Sequence, residues 1–207
     1  FQALAVYKFD RVSIMVCEDN AFVRRTLEDV LRQFGFERIT MCKNGQEAIE
    51  NLKLLKQAKN PGPDLIVADL VMAPINGLLL CRWCRSAKET PNRMVPFIML
   101  SGAADQDYVG SARDLGATEF LAKPFSAASV YRHLVRVIEA PRQFVTTTKY
   151  FGPDRRRQKQ DPPGKERRLK DEEDVTIVYS AEKVVKPKQP TDVWYFRLPN
   201  SLKEKAG

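Results

Sequence analysis

Five polar residues of this 207-residue chain follow directly on apolar runs, and their types suit phosphoryl chemistry. Glu18 and Asp19 follow the run VSIMVC, Asp69 ends LIVAD, Ser101 ends VPFIMLS, and Lys123 follows TEFLA. Three carboxylates in one cleft repel one another without a cation, and oxygen ligands suit a hard ion such as Mg²⁺. Beside a lysine and a hydroxyl, they predict phosphoryl transfer, with Asp69 as the nucleophile that forms an aspartyl phosphate.

These residues can meet only if the apolar runs lie side by side in one sheet. The predicted strands are 12–17, 38–42, 65–69, 95–101 and 118–123. The predicted amphipathic helices are 23–34, 44–57, 77–88, 105–115 and 126–139. Short apolar strands that alternate with helices indicate a parallel sheet covered on both faces, in a doubly wound α/β fold. Functional groups in such folds gather at the carboxyl ends of the strands.

Each of the five residues also has a purely structural explanation. Glu18 and Asp19 could cap the first helix, Asp69 could cap a turn, Ser101 could be a loop hydroxyl, and Lys123 could be a solvated charge. All five residues fall on one predicted edge of the sheet. That coincidence favours a functional site over five separate structural roles.

The segment from about residue 12 to 139 resembles the receiver domain of bacterial two-component response regulators. The matching motifs are CED (17–19), DLVMAPING (69–77), MLSG (99–102) and FLAKPF (120–125). The resemblance implies a five-stranded flavodoxin-like sheet with strand order 2-1-3-4-5. It also implies a phosphoacceptor in a phosphorelay, not an enzyme that acts on an external substrate.

The resemblance assigns the metal site and the nucleophile. It implies that Asp69 is the phosphoacceptor, and that Asp19, Asp69 and the Val71 carbonyl bind Mg²⁺ while Glu18 holds the metal through water. An alternative for the whole chain is a phosphatase or another hydrolase on the same sheet. Such enzymes with an aspartyl nucleophile usually carry a second Asp two residues later, and here that position is Val71.

The resemblance also assigns a switch. It implies that Ser101 and Lys123 bind the phosphoryl oxygens and that Phe120 is the switch aromatic. The sequence departs from the family where Ala73 replaces a usual proline, where Gly102 replaces a frequent alanine, and where Phe120 lacks a tyrosine hydroxyl. The partners implied are a histidine kinase or a phosphotransfer protein, with a homodimer possible through residues 104–140 or through the tail.

The charge is unevenly divided along the chain. We predict an N-terminal arm at 1–10, a receiver domain at 11–140 and a basic tail at 141–207. Residues 1–140 have a net charge of +2, whereas residues 141–207 have 16 Lys/Arg and 10 Asp/Glu, a net charge of +6. Residues 146–174 are predicted to be a linker or extended arm, followed by weak strands in VTIVYS (175–180) and VWYFRLP (193–199).

Two interpretations of the tail compete. In the first, it is an interaction arm that contacts the receiver, a second copy or a protein partner. In the second, it binds nucleic acid through basic side chains and stacked aromatic rings. The residues of that second interpretation are Arg155, Arg156, Arg157, Arg167, Arg168, Tyr150, Phe151, Trp194 and Tyr195. The first is favoured, because no nucleic-acid-binding fold is evident.

The cysteines favour a reducing environment. Cys17 and Cys42 lie in apolar strands and are predicted to be buried. Cys81 and Cys84 form a CxxC, which could be a redox pair or half a metal site, but the spacing also suits two structural positions on a helix. The single histidine, His133, lies on a distant helix. No apolar run approaches the roughly 20 residues of a membrane helix, so we expect a cytoplasmic protein without a membrane partner.

Overall fold

A parallel five-stranded sheet forms the centre of the protein. The computed structural model describes residues 7–102, 106–146, 150–154, 176–178 and 194–195. In chain order the elements are β1 (Tyr7–Lys8), β2 (Ser13–Cys17), α1 (Ala21–Gln33), β3 (Arg38–Cys42), α2 (Gly45–Gln57), β4 (Leu65–Asp69), α3 (Gly77–Ser86), β5 (Phe97–Ser101), α4 (Gln106–Asp114), β6 (Glu119–Ala122), α5 (Ala127–Glu139), β7 (Phe144–Thr146), β8 (Phe151–Pro153), β9 (Thr176–Val178) and β10 (Trp194–Tyr195).

The order of the central sheet confirms the predicted fold. The strands lie in the order β3-β2-β4-β5-β6, and every neighbouring pair is parallel. Counted alone, these five strands have the order 2-1-3-4-5 of a flavodoxin-like fold. The chain reverses its direction of travel across the sheet between β2 and β4. A crevice therefore opens at the carboxyl ends of these two strands, where such folds bind their ligands.

Both faces of the sheet are buried. In β2, Ile14 and Val16 point into one apolar cluster, which the buried sides of α1 and α5 complete. Met15 and Cys17 point into the other cluster, which contains residues of α2, α3 and α4. Because a strand alternates its side chains between the two faces, a strand covered on both sides needs apolar residues at every position. This double burial explains the continuous apolar runs in the sequence.

The starts of the helices are set by side-chain caps. Asn20 caps α1, since its side-chain oxygen accepts hydrogen bonds from the Phe22 and Val23 amides at 3.0 and 3.1 Å. Asn44 caps α2 as predicted, and Ser126 caps α5 with a reciprocal pair of hydrogen bonds to Ser129. The cap of α1 is therefore Asn20, and neither of the two acids before it fills that role.

The tail contains more strand than the sequence indicates. Two of its strands, β9 and β10, lie inside the segments predicted to be strands. The segment predicted to be a linker, 146–174, instead contains β8, while β7 begins two residues before that segment and pairs antiparallel with both β8 and β9. Strands of three residues are too short to show a periodicity in the sequence, and β8 also contains Gly152 and Pro153, which are uncommon in strands. They are held by pairing and by contacts with the receiver.

The N-terminal arm also packs against the receiver. The Phe9 ring stacks on the Phe36 ring with centroids 4.5 Å apart. The Tyr7 hydroxyl donates a hydrogen bond of 2.5 Å to Oε1 of Glu139 at the end of α5. Strand β1 pairs in parallel with β10. Among the residues that the structure describes, no helix has both the length and the apolar character needed to cross a membrane.

Candidate functional site

Three carboxylates meet at the carboxyl end of the sheet. Glu18 and Asp19 follow β2, and Asp69 is the last residue of the neighbouring strand β4. One oxygen from each of the three carboxylates lies within 4.8 Å of the other two. Glu18 and Asp69 are buried, whereas Asp19 is exposed. This oxygen-only set, partly open to solvent, fits a Mg²⁺ ion that keeps several of its waters.

Lys123 reaches into the same cluster from the end of β6. Its Nζ lies 2.6 Å from Oε2 of Glu18 and 2.9 Å from Oδ1 of Asp69. Its backbone amide donates a 2.7 Å hydrogen bond to the Ser101 carbonyl, which anchors the Lys123 backbone to the end of β5. The side chain is 23% exposed. Lys123 is therefore an internal cation of the site and not a solvated surface charge.

The other predicted site residues surround this cluster. Ser101 is buried at the end of β5, one position beyond Leu100, which pairs with Asp69. Val71 lies two residues after Asp69 and is 58% exposed, so the β4–α3 loop opens to solvent at this position. Phe120 on β6 is partly buried and packs against the core cluster on the side of α2, α3 and α4.

Arg24 belongs to the site and was not detected from the sequence. Its Nη1 donates hydrogen bonds to the carbonyl oxygens of Glu18 at 2.7 Å and of Asp19 at 3.2 Å. The Asn20 amide donates to Oε1 of Glu18 at 3.2 Å. These bonds hold the loop that carries both acids. The only local signal was a basic residue one turn into α1, which is too common to be diagnostic.

Gly77 is required by the close approach of α3 to the site. A Cβ at this position would collide with the backbone carbonyl oxygen of Asp69 and would lie 2.7 Å from Sδ of Met99. The helix therefore starts with its backbone packed directly on the end of β4. This packing, together with the Asn76 side chain that caps α3, closes the loop between the predicted nucleophile and the helix.

Burial opposes ionisation of the two inner carboxyls. Desolvation raises the pKa of Glu18, and the nearby Asp69 charge raises it further, while Lys123 acts in the opposite direction. Desolvation likewise raises the pKa of Asp69, opposed by the hydrogen bond and the charge of Lys123. A divalent cation would favour the charged forms of both groups, because it supplies the positive charge that burial makes necessary.

Lys123 stays charged in this environment. Burial by itself would lower the pKa of Lys123, but the hydrogen bonds and charges of Glu18 and Asp69 outweigh burial and raise the pKa. A fixed ammonium in contact with a carboxylate oxygen can neutralise negative charge that arrives on that oxygen. The arrangement therefore combines three carboxylates that could hold a metal ion, the predicted nucleophile Asp69 among them, with a cation in one crevice.

The remaining candidate residues lie away from this crevice. Cys81 and Cys84 are fully buried on α3, and burial raises the pKa of their thiols to about 11 and about 12. Thiols with such a pKa are unreactive at neutral pH, so the structure favours the structural explanation of the CxxC. His133 lies on α5 with its Nδ1 3.9 Å from a carboxylate oxygen of Glu119.

Two of the nine tail residues proposed to contact nucleic acid, Trp194 and Tyr195, form β10, and the other seven divide into two groups. Arg155, Arg156, Arg157, Arg167 and Arg168 lie outside the described residues. Within the described part, the Phe151 ring is covered by the guanidinium of Arg93, whose Cζ lies 4.1 Å from the ring centroid. The Tyr150 hydroxyl donates a 2.8 Å hydrogen bond to the Pro153 carbonyl. These two side chains are therefore engaged within the protein.

Residues 14–135 match the protein family described as the response regulator receiver domain. The transcriptional regulatory protein PdtaR of Mycobacterium tuberculosis is 32% identical over 117 residues, which are 56% of this chain and 52% of that protein. This chain thus spans about half the length of that relative. The chemotaxis protein CheY of Thermotoga maritima is 32% identical over 124 residues, which are 60% of this chain and 95% of that protein.

Solved structures of receiver domains share this fold. One is the receiver domain of a sensor histidine kinase from Pseudomonas aeruginosa, with a magnesium ion coordinated in its active-site cleft. It superposes with a TM-score of 0.52 at 30% identity, over 60% of this chain and 95% of that one. A second, the receiver domain of a histidine kinase from Syntrophus aciditrophicus, gives a TM-score of 0.53 at 28% identity, over 61% and 89% of the two chains.

Proposed function

Because the chain belongs to the response regulator receiver domain family, we propose that Asp69 accepts a phosphoryl group from a histidine kinase or a phosphotransfer protein. The observation that carries this proposal is the contact of Lys123 with Asp69 inside a cluster of three carboxylates. A nucleophile, an acidic metal set and a cation are the groups that phosphoryl transfer needs. No other cluster of three potential metal ligands occurs among the described residues.

The transfer is a displacement at phosphorus. A carboxylate oxygen of Asp69 attacks the phosphorus of a phosphohistidine on the partner, so a phosphorus–oxygen bond forms. The phosphorus–nitrogen bond breaks, and its electron pair remains on the imidazole nitrogen of the partner. Lys123 shifts its contact from Oδ1 of Asp69 to a phosphoryl oxygen and neutralises the charge there.

The three carboxylates fit a resident Mg²⁺ ion. Asp19 and Asp69 would bind it directly together with the Val71 carbonyl, and Glu18 would hold it through water. When bound, the ion supplies positive charge next to the phosphoryl oxygens. The chain itself positions two of these acids, since Arg24 holds the loop of Glu18 and Asp19 by two hydrogen bonds.

Phosphorylation is proposed to change a protein-interaction surface. The Ser101 hydroxyl turns to the new phosphoryl group, and Phe120 moves further inward as the adjoining loop closes. The half-buried position of Phe120 next to the core supports this change. The conformational change is a population shift driven by new contacts to the phosphoryl group. The affected surface consists of α4, β6 and α5, through which a homodimer could also form.

The hydrolase alternative lacks its second acid. A phosphatase with an aspartyl nucleophile needs a general acid near the leaving group, and the position two residues after Asp69 is Val71. The proposed activity is therefore limited to self-catalysed phosphotransfer and autodephosphorylation. The four free, buried cysteines support a cytoplasmic location, where thiols stay reduced.

We assign residues 11–140 to the receiver and 141–207 to an interaction arm. The rings of Phe144 and Phe151 under the guanidinium groups of Arg85 and Arg93 support an arm that contacts protein. A salt-dependent mobility shift with duplex and single-stranded DNA tests the nucleic-acid alternative. Binding that weakens steeply with added salt would favour that alternative over the interaction arm.

Labelling with a small phosphodonor tests the proposed function. The full-length chain is incubated with acetyl phosphate and Mg²⁺, and intact mass spectrometry is expected to show the mass gain of one phosphoryl group. Asp69→Asn, which keeps the size of the side chain, should show no gain. Light scattering with and without beryllofluoride then reports whether activation changes the oligomeric state. Equal labelling of the wild type and Asp69→Asn would overturn the assignment of the phosphoacceptor.

A further inference from the structure

A second cavity lies at the edge of the sheet opposite Asp69. Its volume is about 450 Å³, and its polar and aromatic lining includes Lys56, Lys88, Thr90, Asn92, Arg93 and Phe151. The first of these residues is at the end of α2, and the next four lie in the connection from α3 to β5. Helices of a parallel α/β fold end at the amino ends of the strands. The cavity is therefore separate from the phosphorylation crevice.

The lining of this cavity is positively charged. Lys56, Lys88 and Arg93 contribute three cations, and no carboxylate occurs among the described residues that line it. An adjoining cavity of about 430 Å³ shares both lysines and adds Lys53, with Glu89 as its one acid. Three cations around a concave surface attract anions, because the cations repel one another when no counter-charge lies between them.

Arg93 is held in a fixed position that suits the binding of an anion. Its Nε donates a 2.5 Å hydrogen bond to the Arg85 carbonyl, and its Cζ lies 4.1 Å from the centroid of the Phe151 ring. The Arg85 side chain donates in return to the Arg93 carbonyl at 2.8 Å. A guanidinium fixed in this way loses little conformational freedom when it binds an anion.

Two uncharged donors complete the lining. Thr90 is 4% exposed, and its Oγ1 has no hydrogen-bond partner in the part of the chain that the structure describes. The Asn92 side-chain oxygen accepts from the Met94 amide at 2.9 Å, which leaves the NH₂ group as a donor. A buried hydroxyl without a partner is unusual in proteins, and Thr90 Oγ1 is therefore available to bond a ligand in the cavity.

We propose that this cavity binds the phosphate group of a small phosphorylated molecule. Lysine, arginine, hydroxyl and amide groups are the donors that bind phosphate oxygens. The cavity volume falls in the range of small-molecule sites, roughly 300 to 1,000 Å³, and can hold a mononucleotide as well as a free phosphate ion. Because Phe151 belongs to β8, the bound molecule contacts the tail and the receiver together and holds the hairpin of β7 and β8 in place.

Calorimetric titration of the full-length chain tests this proposal. Orthophosphate and adenosine monophosphate are the two probes, in EDTA so that no divalent ion bridges phosphate to the acidic crevice. We expect saturable binding of at least one probe. Tighter binding of the nucleotide would identify a contact to its ring or sugar, and equal binding would restrict recognition to the phosphate.

Four variants locate the binding. Lys88→Ala should weaken binding by roughly tenfold or more, since it removes a charge-assisted hydrogen bond. Lys43→Ala removes the same charge at the opposite edge of the sheet and should bind like the wild type, as should Asp69→Asn. Thr90→Val preserves the shape and removes the hydroxyl, so it should weaken binding without lowering the midpoint of thermal unfolding.

Two results would overturn the proposal. One is the absence of saturable binding by either probe to the wild-type chain. The other is unchanged affinity in Lys88→Ala, which would mean that any binding occurs elsewhere. Both results are independent of phosphotransfer, because Asp69→Asn abolishes labelling at the crevice and leaves this cavity intact.

Discussion

Asp69 is held at the carboxyl end of β4 with more negative than positive charge around it. Two other carboxylates lie within 4.8 Å and one ammonium group contacts it. Two like charges about 4 Å apart repel by roughly 1 to 4 kcal/mol, depending on how strongly the surroundings screen them. One ammonium group therefore does not balance the three carboxylates, and the remaining negative charge favours the binding of a metal cation.

Asp69→Asn is expected to raise the free energy of unfolding by about 1 kcal/mol in EDTA at neutral pH. The substitution removes part of a repulsion of roughly 1 to 4 kcal/mol, and the lost ion pair with Lys123 offsets some of this gain. Mg²⁺ should stabilise the wild type more than the variant, because the variant has lost a ligand. Urea denaturation of both proteins, with and without Mg²⁺, measures these differences.

The difference between the two proteins should depend on pH. The pKa of Asp69 is raised in the folded state, so at low pH the wild-type carboxyl is protonated in both states and carries no penalty. As pH rises from the ordinary range of aspartate through the raised pKa, the wild type loses stability relative to the variant. Above that pKa the difference is constant. A variant that is less stable at neutral pH in EDTA would contradict this account.

At the scale of elements, the site depends on how closely α3 starts to the end of β4. Gly77 has no side chain, so the first turn of α3 rests on the backbone of Asp69. Asn76 caps the same helix by accepting a 2.9 Å hydrogen bond from the Leu79 amide. A loop held at both ends positions Asp69 and the Val71 carbonyl relative to each other.

Gly77→Ala is expected to destabilise the protein by roughly 1 to 3 kcal/mol, the usual cost of inserting a group into a packed region. The new methyl group would collide with the Asp69 carbonyl and Met99, so labelling by acetyl phosphate should also slow. Gly110→Ala is the matched control, because a Cβ at that position on α4 meets open space. The control should gain about 0.5 to 1 kcal/mol from its helical position. Equal unfolding free energies for the two variants would exclude the proposed role of Gly77.

At the scale of the whole molecule, the tail is packed onto the receiver at the edge away from Asp69. Phe144 is buried, and the Cζ of Arg85 lies 5.2 Å from its ring centroid. Arg85 also donates hydrogen bonds to the carbonyl oxygens of Gly116 and Val95. The α3–β5 connection, the α4–β6 turn and the tail hairpin are thereby joined through one buried guanidinium.

Truncation after Ala140 is expected to lower the free energy of unfolding by roughly 2 kcal/mol. It removes the two aromatic rings that cover Arg85 and Arg93, and each such cation–π contact contributes about 0.5 to 2 kcal/mol according to its burial. Truncation after Asp154 retains β7 and β8 and serves as the control, with a stability near that of the full chain. If both truncations unfold at the same urea concentration, the hairpin does not stabilise the receiver.

The sequence by itself determined the sheet, most helix boundaries and the residues that gather at the candidate site. Continuous apolar runs require strands buried on both faces, and caps such as Asn44 and Ser126 act within one helical turn. The polar residues at the strand ends stood out because burying a charge without a partner is costly. All of these signals are local or depend on burial alone.

Only the tertiary structure decided the contacts between distant segments. These include the bonds of Lys123 to Glu18 and Asp69 and the stacking of Phe144 and Phe151 under arginines of the receiver. The second cavity also depends on such contacts, since Phe151 and the α3–β5 connection line it together. An ion pair or a stacked ring depends on the positions of two residues in space. Local sequence patterns do not identify a partner that lies dozens of residues away along the chain.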